Sequence, residues 1–261
     1  MKKYAVILLI ICMVSGLASC REGVLDESIV DDSDREGVLA ETIVDAFIRM
    51  DEDREDNSCY MVYNMGIKYV GEREGERSTV YSKCRVDFDA DSQIGYYEGT
   101  FAFRDIRNGM EAVPVEVKQY YKKNEDGSFT VMDWSESRSE WITSGFVPKT
   151  QSADREALLK GATVVEEETR YVLTTQCDAS DVQFDVGRFL GADYDELIPC
   201  DAVFVIVVDK ESMVCTGTNL MIDVEDLNAE LKKRGETFRF TEFNLSTSEM
   251  VFCEITLTMP E

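Results

Sequence analysis

The chain has 261 residues, 52 acidic and 27 basic, and a formal net charge of −25. This charge excludes nucleic acid and an anionic membrane surface as electrostatic partners, because both carry the same sign. The chain has no histidine, which excludes Ser-His-Asp and Cys-His catalysis and histidine-ligated zinc. Apolar residues make up 44 % of the chain, enough for a hydrophobic core.

The N-terminus predicts a signal peptide over residues 1–19. Two lysines precede an apolar run that is too short to span a bilayer, and the run ends in Leu17-Ala18-Ser19-Cys20. This ending resembles the lipobox of bacterial lipoproteins. The resemblance implies cleavage between Ser19 and Cys20, a diacylglycerol on the Cys20 sulfur, and anchoring at the extracytoplasmic face of the cell membrane. An ordinary secretory signal that leaves Cys20 without lipid is the alternative.

Residues 20–35 are predicted to form an acidic tether in front of the main domain, residues 36–261. Residues 21–31 recur as residues 35–45 with nine of eleven positions identical, which is a tandem duplication with too few copies for a solenoid. The second copy lies in a predicted helix, in which Ser33 and Glu36 have capping-box spacing. One apolar stripe at helical spacing comprises Leu39, Ile43, Phe47 and Met50.

The main domain reads as an antiparallel sheet, because apolar and polar side chains alternate along most of it. Successive hairpins with few helices between them predict an α+β meander with helices on one face. Strands are predicted over residues 61–69, 80–88, 97–103, 113–121, 129–131, 171–175, 203–208, 213–222, 238–245 and 250–259, the last two as a closing hairpin. Helices are predicted over residues 154–160, from Ser180 to before Gly191, and over 224–231, where a strand is the alternative.

The order of these elements, together with scattered aromatic residues, resembles the LolA/LppX-like lipoproteins of bacterial envelopes, particularly those of Gram-positive bacteria. The resemblance implies a strongly curved antiparallel sheet, an open half-barrel, with a few helices on its concave side. It rests on Gln119-Tyr120-Tyr121, Asp126-Gly127, Trp134, Trp141, Tyr171-Val172-Leu173-Thr174, the strand at 203–209, Phe243-Asn244 and Met259-Pro260-Glu261.

From that resemblance we expect a lipid-anchored binding protein, without enzymatic activity or a cofactor, that holds an acyl chain or another apolar ligand. The expected lining of the ligand cavity comprises Phe101, Phe103, Val115, Val117 and Tyr121, with Trp134 near the rim. A cell-surface interaction module with a filled core is the first alternative, in which these aromatic residues are simply core. A hydrolase that uses paired carboxylates is another, although no pair stands out among so many acids.

Six cysteines remain after the signal peptide and Cys20 are set aside. An even number outside the cytosol permits three disulfides, with fifteen possible connectivities. The alternative is that they stay reduced and pack as small apolar side chains. The six candidates are Cys59, Cys84, Cys177, Cys200, Cys215 and Cys253.

One acidic stretch matches the ligand spacing of an EF-hand calcium loop, with Asp87, Asp89 and Asp91 followed by Glu98. Ser92 stands where the sharp turn of such a loop requires glycine, and both flanks alternate as strands instead of forming helices. The competing interpretation is a solvated hairpin turn in an acidic protein. Because of the ligand spacing, a further alternative is that the chain is a calcium-binding surface protein.

We expect the Cys20→Ala variant to remain an unprocessed precursor or to be released into the medium, because only the thiol can take the lipid. Membrane fractionation and mass measurement of the mature N-terminus check this result. Normal maturation and normal membrane retention of the variant would contradict the lipoprotein prediction.

Overall fold

The computed structural model describes residues 32–70, 77–101, 115–126, 128–146, 153–182, 198–237 and 239–260. The predicted signal peptide, Cys20 and Phe103 lie outside these residues, as do Gln183 and the rest of the helix predicted to end before Gly191. No helix within the described ranges is long and apolar enough to cross a membrane.

The described chain forms three α-helices, one 3-10 helix and eleven strands. The α-helices are α1 (Asp32–Asp56), α2 (Arg155–Leu159) and α3 (Val224–Lys233), and the 3-10 helix is Ala179–Val182. The strands are β1 (Cys59–Val70), β2 (Arg77–Asp89), β3 (Ile94–Phe101), β4 (Val115–Lys123), β5 (Phe129–Ser135), β6 (Glu140–Phe146), β7 (Thr163–Glu166), β8 (Arg170–Asp178), β9 (Asp201–Asp209), β10 (Cys215–Ile222) and β11 (Arg239–Phe252).

All eleven strands form one antiparallel sheet in the order β6-β5-β4-β3-β2-β1-β11-β10-β9-β8-β7. Each strand pairs with its neighbours in sequence, except that β6 does not pair with β7, and β1 pairs with β11 in the middle of the sheet. Among the described strands, β6 and β7 are the two edges and do not pair, so the sheet is open. The predicted fold class is confirmed: an α+β curved half-barrel with helices on its concave side.

One face of the sheet, here called the inner face, carries the core and the helices. Phe47 of α1 packs edge-to-face against Phe204 of β9, with ring centroids 5.0 Å apart. In the strand register Phe204 lies opposite Leu220, Leu220 opposite Leu245, and Leu245 opposite Met65. The inner face thus continues without interruption from β9 across the middle of the sheet into β1.

The predicted apolar stripe of α1 is confirmed, because Ile43, Phe47 and Met50 are buried against the sheet. The predicted capping box is wrong, since α1 already begins at Asp32 and Ser33 lies inside it. Outside the stripe, the Arg155 guanidinium of α2 donates to Asp45 at 2.7 Å and joins the two helices. The hydrogen bonds and charges of Asp45 and Glu41 raise the pKa of this guanidinium and outweigh burial, which lowers it.

Two predictions for the second half of the sheet need correction. Residues 203–208 were expected to be apolar on two covered faces, but burial in β9 alternates, and one face is only half-buried. The predicted closing hairpin is wrong, because residues 239–252 form one long strand and residues 253–260 form none. β11 stays continuous because β1 pairs with it from Cys59–Phe252 to Val70–Arg239. The short helix over 224–231 is confirmed, with Asp223 as its N-cap.

Gly95 of β3 is required by the side chain that lies across it. A Cβ atom at this position would come within 1.9 Å of Cζ of Tyr121, whose ring covers the glycine from the neighbouring strand β4. Tyr121 itself is only 2 % exposed. The glycine therefore provides the space in which a large aromatic ring packs against the sheet backbone.

We expect Gly95→Ala to lower the free energy of unfolding by about 2–3 kcal/mol, since the buried Tyr121 ring must move. Chemical denaturation measures the change. The matched control is Gly37→Ala on α1, where no atom lies within 4 Å of the new Cβ and stability should rise slightly. The double variant with Tyr121→Leu should lose less than the sum of the two single changes. A Gly95→Ala protein as stable as the wild type would contradict the packing described.

Candidate ligand-binding face of the sheet

Two rows of side chains cross the inner face from β2 to β5. In the first row, Phe88, Gly95, Tyr121 and Val131 lie opposite one another in successive strands. In the second row the corresponding positions are Val86, Tyr97, Gln119 and Asp133. All eight of these residues are buried, and Gly95 lies under the Tyr121 ring. We call this surface the β2–β5 inner patch.

Aromatic and apolar groups make up most of the β2–β5 inner patch. Tyr97 is fully buried, and its hydroxyl lies within hydrogen-bonding distance of the Cys84 thiol on β2. The rings of Tyr121 and Phe129 are 6.1 Å apart at a tilted angle. Such a surface presents ring faces, methyl groups and a thiol, and it is suited to contact with hydrocarbon.

The predicted cavity residues fall into two groups. The register places Gly99 opposite Val117 and Gly95 opposite Tyr121, so Val117 and Tyr121 share the inner face. Phe101 and Val115 pair with each other two positions farther along the same two strands. Trp134 is different: it follows the inner residue Asp133 on β5, points to the outer face and is 38 % exposed. The expectation that Trp134 borders the inner surface is therefore wrong, because neighbouring residues of a strand face opposite sides.

Gln119 and Asp133 are the polar members of the patch, and they were not among the predicted site residues. Gln119 Nε2 donates to Asp133 Oδ1 at 2.5 Å across the β4–β5 pair. Burial raises the pKa of the Asp133 carboxyl, and the hydrogen bond from Gln119 offsets part of that rise. The sequence alone could have indicated both residues, because each is polar at a position where the alternation of its strand predicts an apolar side chain. The hydrogen bond from Asn124 N to Ser128 O fixes the register of the β4–β5 hairpin and so aligns the two residues.

The helices lie mainly over the other half of the sheet. The principal contacts of α1 are with β7, β8, β9, β10 and α2, whereas α2 also packs on β8 and α3 packs on β11. Leu227 and Leu231 of α3 are fully buried there. The described helices thus concentrate on β7–β11, on the opposite side of the central β1–β11 pair from the β2–β5 inner patch.

The outer face carries a row of aromatic rings. Tyr96 and Tyr120 have ring centroids 4.7 Å apart, and Trp141 follows at 5.3 Å from Tyr120 and 5.3 Å from Trp134. Burial, with the charge and hydrogen bond of Glu98, raises the pKa of Tyr96 to about 12. The rings stack on the edge half of the sheet and leave Trp134 in contact with solvent.

All six predicted disulfide candidates are thiols in the structure. Five are buried, while Cys253 is exposed. Burial and neighbouring carboxylates raise the pKa of both Cys177 and Cys200 to about 12, so that these two groups stay protonated at neutral pH. Protonated, buried thiols act as small apolar side chains and not as nucleophiles.

The four predicted calcium ligands do not converge. Asp87 pairs with the Arg85 guanidinium at 2.7 Å, and Glu98 pairs with Lys118 at 3.3 Å. Asp91 is exposed in the turn. Within the described ranges, no three Asp, Glu or Cys side chains are placed to hold a metal ion together.

Asp89, the fourth predicted ligand, is buried and serves as a hydrogen-bond acceptor within the protein. Its carboxylate accepts from the backbone N–H groups of Asp91 and Ser92, from the Ser92 hydroxyl, and from the backbone N–H of Leu257 at 2.9 Å. Burial by itself raises the pKa of Asp89, but these hydrogen bonds outweigh it and the pKa is lowered. The residue fixes both the β2–β3 turn and the C-terminal segment.

Comparison with known proteins does not place the chain in a family. No family model matches it, and no curated protein matches it. A solved structure of a DUF1329 family protein from Desulfovibrio piger aligns over 84 % of this chain and 95 % of that chain, with 11 % sequence identity and a TM-score of 0.28. A TM-score this low carries no conclusion about the fold or ligand of this chain.

We expect Asp89→Asn to lower the free energy of unfolding by about 2 kcal/mol at neutral pH, because the amide replaces one acceptor oxygen by a donor. The folded pKa lies below the unfolded value, so the carboxylate stabilises the fold above about pH 4 and less as the pH falls through the folded pKa. The difference between variant and wild type should therefore shrink in acid. Urea denaturation between pH 3 and pH 7 measures it.

The matched control is Asp91→Asn in the same turn, where the side chain is exposed and the expected change is below about 0.5 kcal/mol. Equal effects of the two substitutions, or a difference independent of pH, would contradict the role assigned to Asp89.

Proposed function

We propose that the protein is a lipid-anchored, extracytoplasmic binding protein that holds an acyl chain or another apolar ligand against the inner face of its sheet. It acts without catalysis. The observation that carries the proposal is the division of the inner face. The described helices concentrate on β7–β11, while the β2–β5 inner patch is a second buried, largely apolar surface on the other half of the sheet.

The chemistry of the patch supports an apolar ligand. Val86, Phe88, Tyr97, Tyr121 and Val131 are each at most 6 % exposed, and all face the same side of the sheet. Each methylene of an acyl chain transferred from water to such surroundings contributes about 0.8 kcal/mol. A chain of about twelve carbons therefore contributes at most about 10 kcal/mol before the cost of ordering it is subtracted.

The lipobox supports the location. Anchoring through acyl chains on Cys20 would place the domain at the outer surface of the membrane, separated from it by the acidic tether of residues 20–35. A protein held at that distance is in position to take up or release an apolar molecule at the membrane surface.

A second candidate is an interaction module on the cell surface. The aromatic row of the outer face favours it, because Trp134 is 38 % exposed and rests on Trp141. Tryptophan and tyrosine are enriched in protein interfaces. In this case the inner patch is ordinary core and takes up no ligand.

We expect residues 32–261 to bind a fluorescent acyl probe saturably, and Val117→Asp to lower the affinity at least tenfold. Val117 is half-buried on the inner face, and a carboxylate there would meet the hydrocarbon. Fluorescence titration with a probe panel of acylglycerols and fatty acids measures the affinity. Circular dichroism and thermal melting establish that the variant is folded.

The matched control is Lys122→Asp, which introduces the same side chain on the same strand but at an exposed, outer-face position. It should bind as the wild type does. If no probe binds saturably to the wild type, and no lipid copurifies with the protein from its host in native mass spectrometry, the interaction module replaces the carrier.

A further inference from the structure

Gln119 and Asp133 are two polar side chains in the otherwise apolar β2–β5 inner patch. Their row runs through Val86 and Tyr97 to the pair and on to Ile142, and the strands on both sides place hydrophobic groups around it. Gln119 is 1 % exposed and Asp133 is 8 % exposed. Two apolar residues of similar size would fill the same positions without the cost of removing an amide and a carboxyl from water.

The hydrogen bond between Gln119 and Asp133 satisfies only some of the polar atoms of these two side chains. Gln119 Nε2 donates to Asp133 Oδ1, while Gln119 Oε1 is buried and has no hydrogen-bond partner among the described residues. A buried acceptor left in this way costs about 1–3 kcal/mol, and proteins rarely retain one without use. The pair thus has more acceptor oxygens than donors.

The charge of the pair is also uncompensated. The pKa of Asp133 is raised by burial, and the only opposing contribution is the hydrogen bond from Gln119, not a neighbouring lysine or arginine in the described part of the chain. A second carboxylate brought to this place would be repelled, since the low polarity of the surroundings strengthens the interaction between like charges. A neutral hydroxyl, by contrast, supplies the missing donor.

We infer that Gln119 and Asp133 form a head-group site, which accepts hydrogen bonds from the hydroxyl groups of a neutral acyl lipid and discriminates against fatty-acid anions. This inference rests on the proposed function, because it specifies the ligand class of the same inner patch. The acyl chain lies against the aromatic and aliphatic side chains of the patch, and the two side chains fix the polar end. The ligand class is that of an acylglycerol.

The test compares two ligands of equal chain length, monolauroylglycerol and laurate, below their critical micelle concentrations. Isothermal titration at pH 8 uses the mature chain, residues 20–261, without attached lipid. We expect the wild type to bind monolauroylglycerol at least tenfold more tightly than laurate. Asp133→Asn should raise the affinity for laurate at least fivefold, because the substitution removes the repelling charge and keeps the size of the side chain.

Two further variants complete the test. The first removes a carboxylate elsewhere on the sheet, and the second removes the amide of Gln119. Glu98→Gln removes a carboxylate from the outer face, where Glu98 pairs with Lys118, and should leave the ratio of the two affinities unchanged. Gln119→Leu removes the acceptor oxygen and should lower the affinity for monolauroylglycerol about tenfold, with little effect on the affinity for laurate. If Asp133→Asn does not fold, the head-group site is tested by the Gln119→Leu variant and by the ratio of the wild-type affinities for monolauroylglycerol and laurate.

The outcomes separate the two proposals. If the wild type binds neither lipid nor any other acyl probe, the carrier function fails and the head-group site fails with it. If the wild type binds both lipids equally, or if Asp133→Asn and Gln119→Leu leave the ratio unchanged, the carrier function stands and the head-group site is overturned.

Discussion

The pairing of β1 with β11 holds the molecule together. Each half of the sheet is a meander of local hairpins, β1–β6 and β7–β11, and only this ladder turns the two halves into one inner face. Its contacts are far apart in sequence: Asn64 on β1 donates to Ser248 on β11, 184 residues away. Such contacts form only after a large loss of chain entropy, so we expect the two meanders to form before they join.

Local patterns in the sequence were sufficient for most elements of each half, because alternation along a strand and apolar spacing along a helix depend on near neighbours. The strands around Met65, Val86 and Leu173 and the helices over 154–160 and 224–231 were predicted from such patterns. The continuity of β11 could not be predicted, since it depends on the distant partner β1. The edge strands β6 and β7 were missed because they are short and one of them is mostly exposed.

The candidate site was only partly predictable for a related reason. The inner position of Tyr121 follows from alternation, and the same rule applied to β5 would have put Trp134 on the outer face. The significance of Gln119 emerges only when the hairpin register brings it beside Asp133. Polar residues that interrupt an apolar strand face are the places where a sequence departs from its own folding rules, and such departures are expected at functional sites.

The connection between the two edges of the sheet limits how far the half-barrel can open. Eleven strands about 4.8 Å apart would make a flat sheet about 48 Å wide. The chain passes from β6 to β7 through residues 147–162, and because α2 advances only about 1.5 Å per residue, this stretch reaches about 48 Å when fully straight. A flat sheet would require this connection to be fully extended, whereas α2 packs on α1 and β8. The length of this connection therefore sets an upper limit on the distance between the two edge strands.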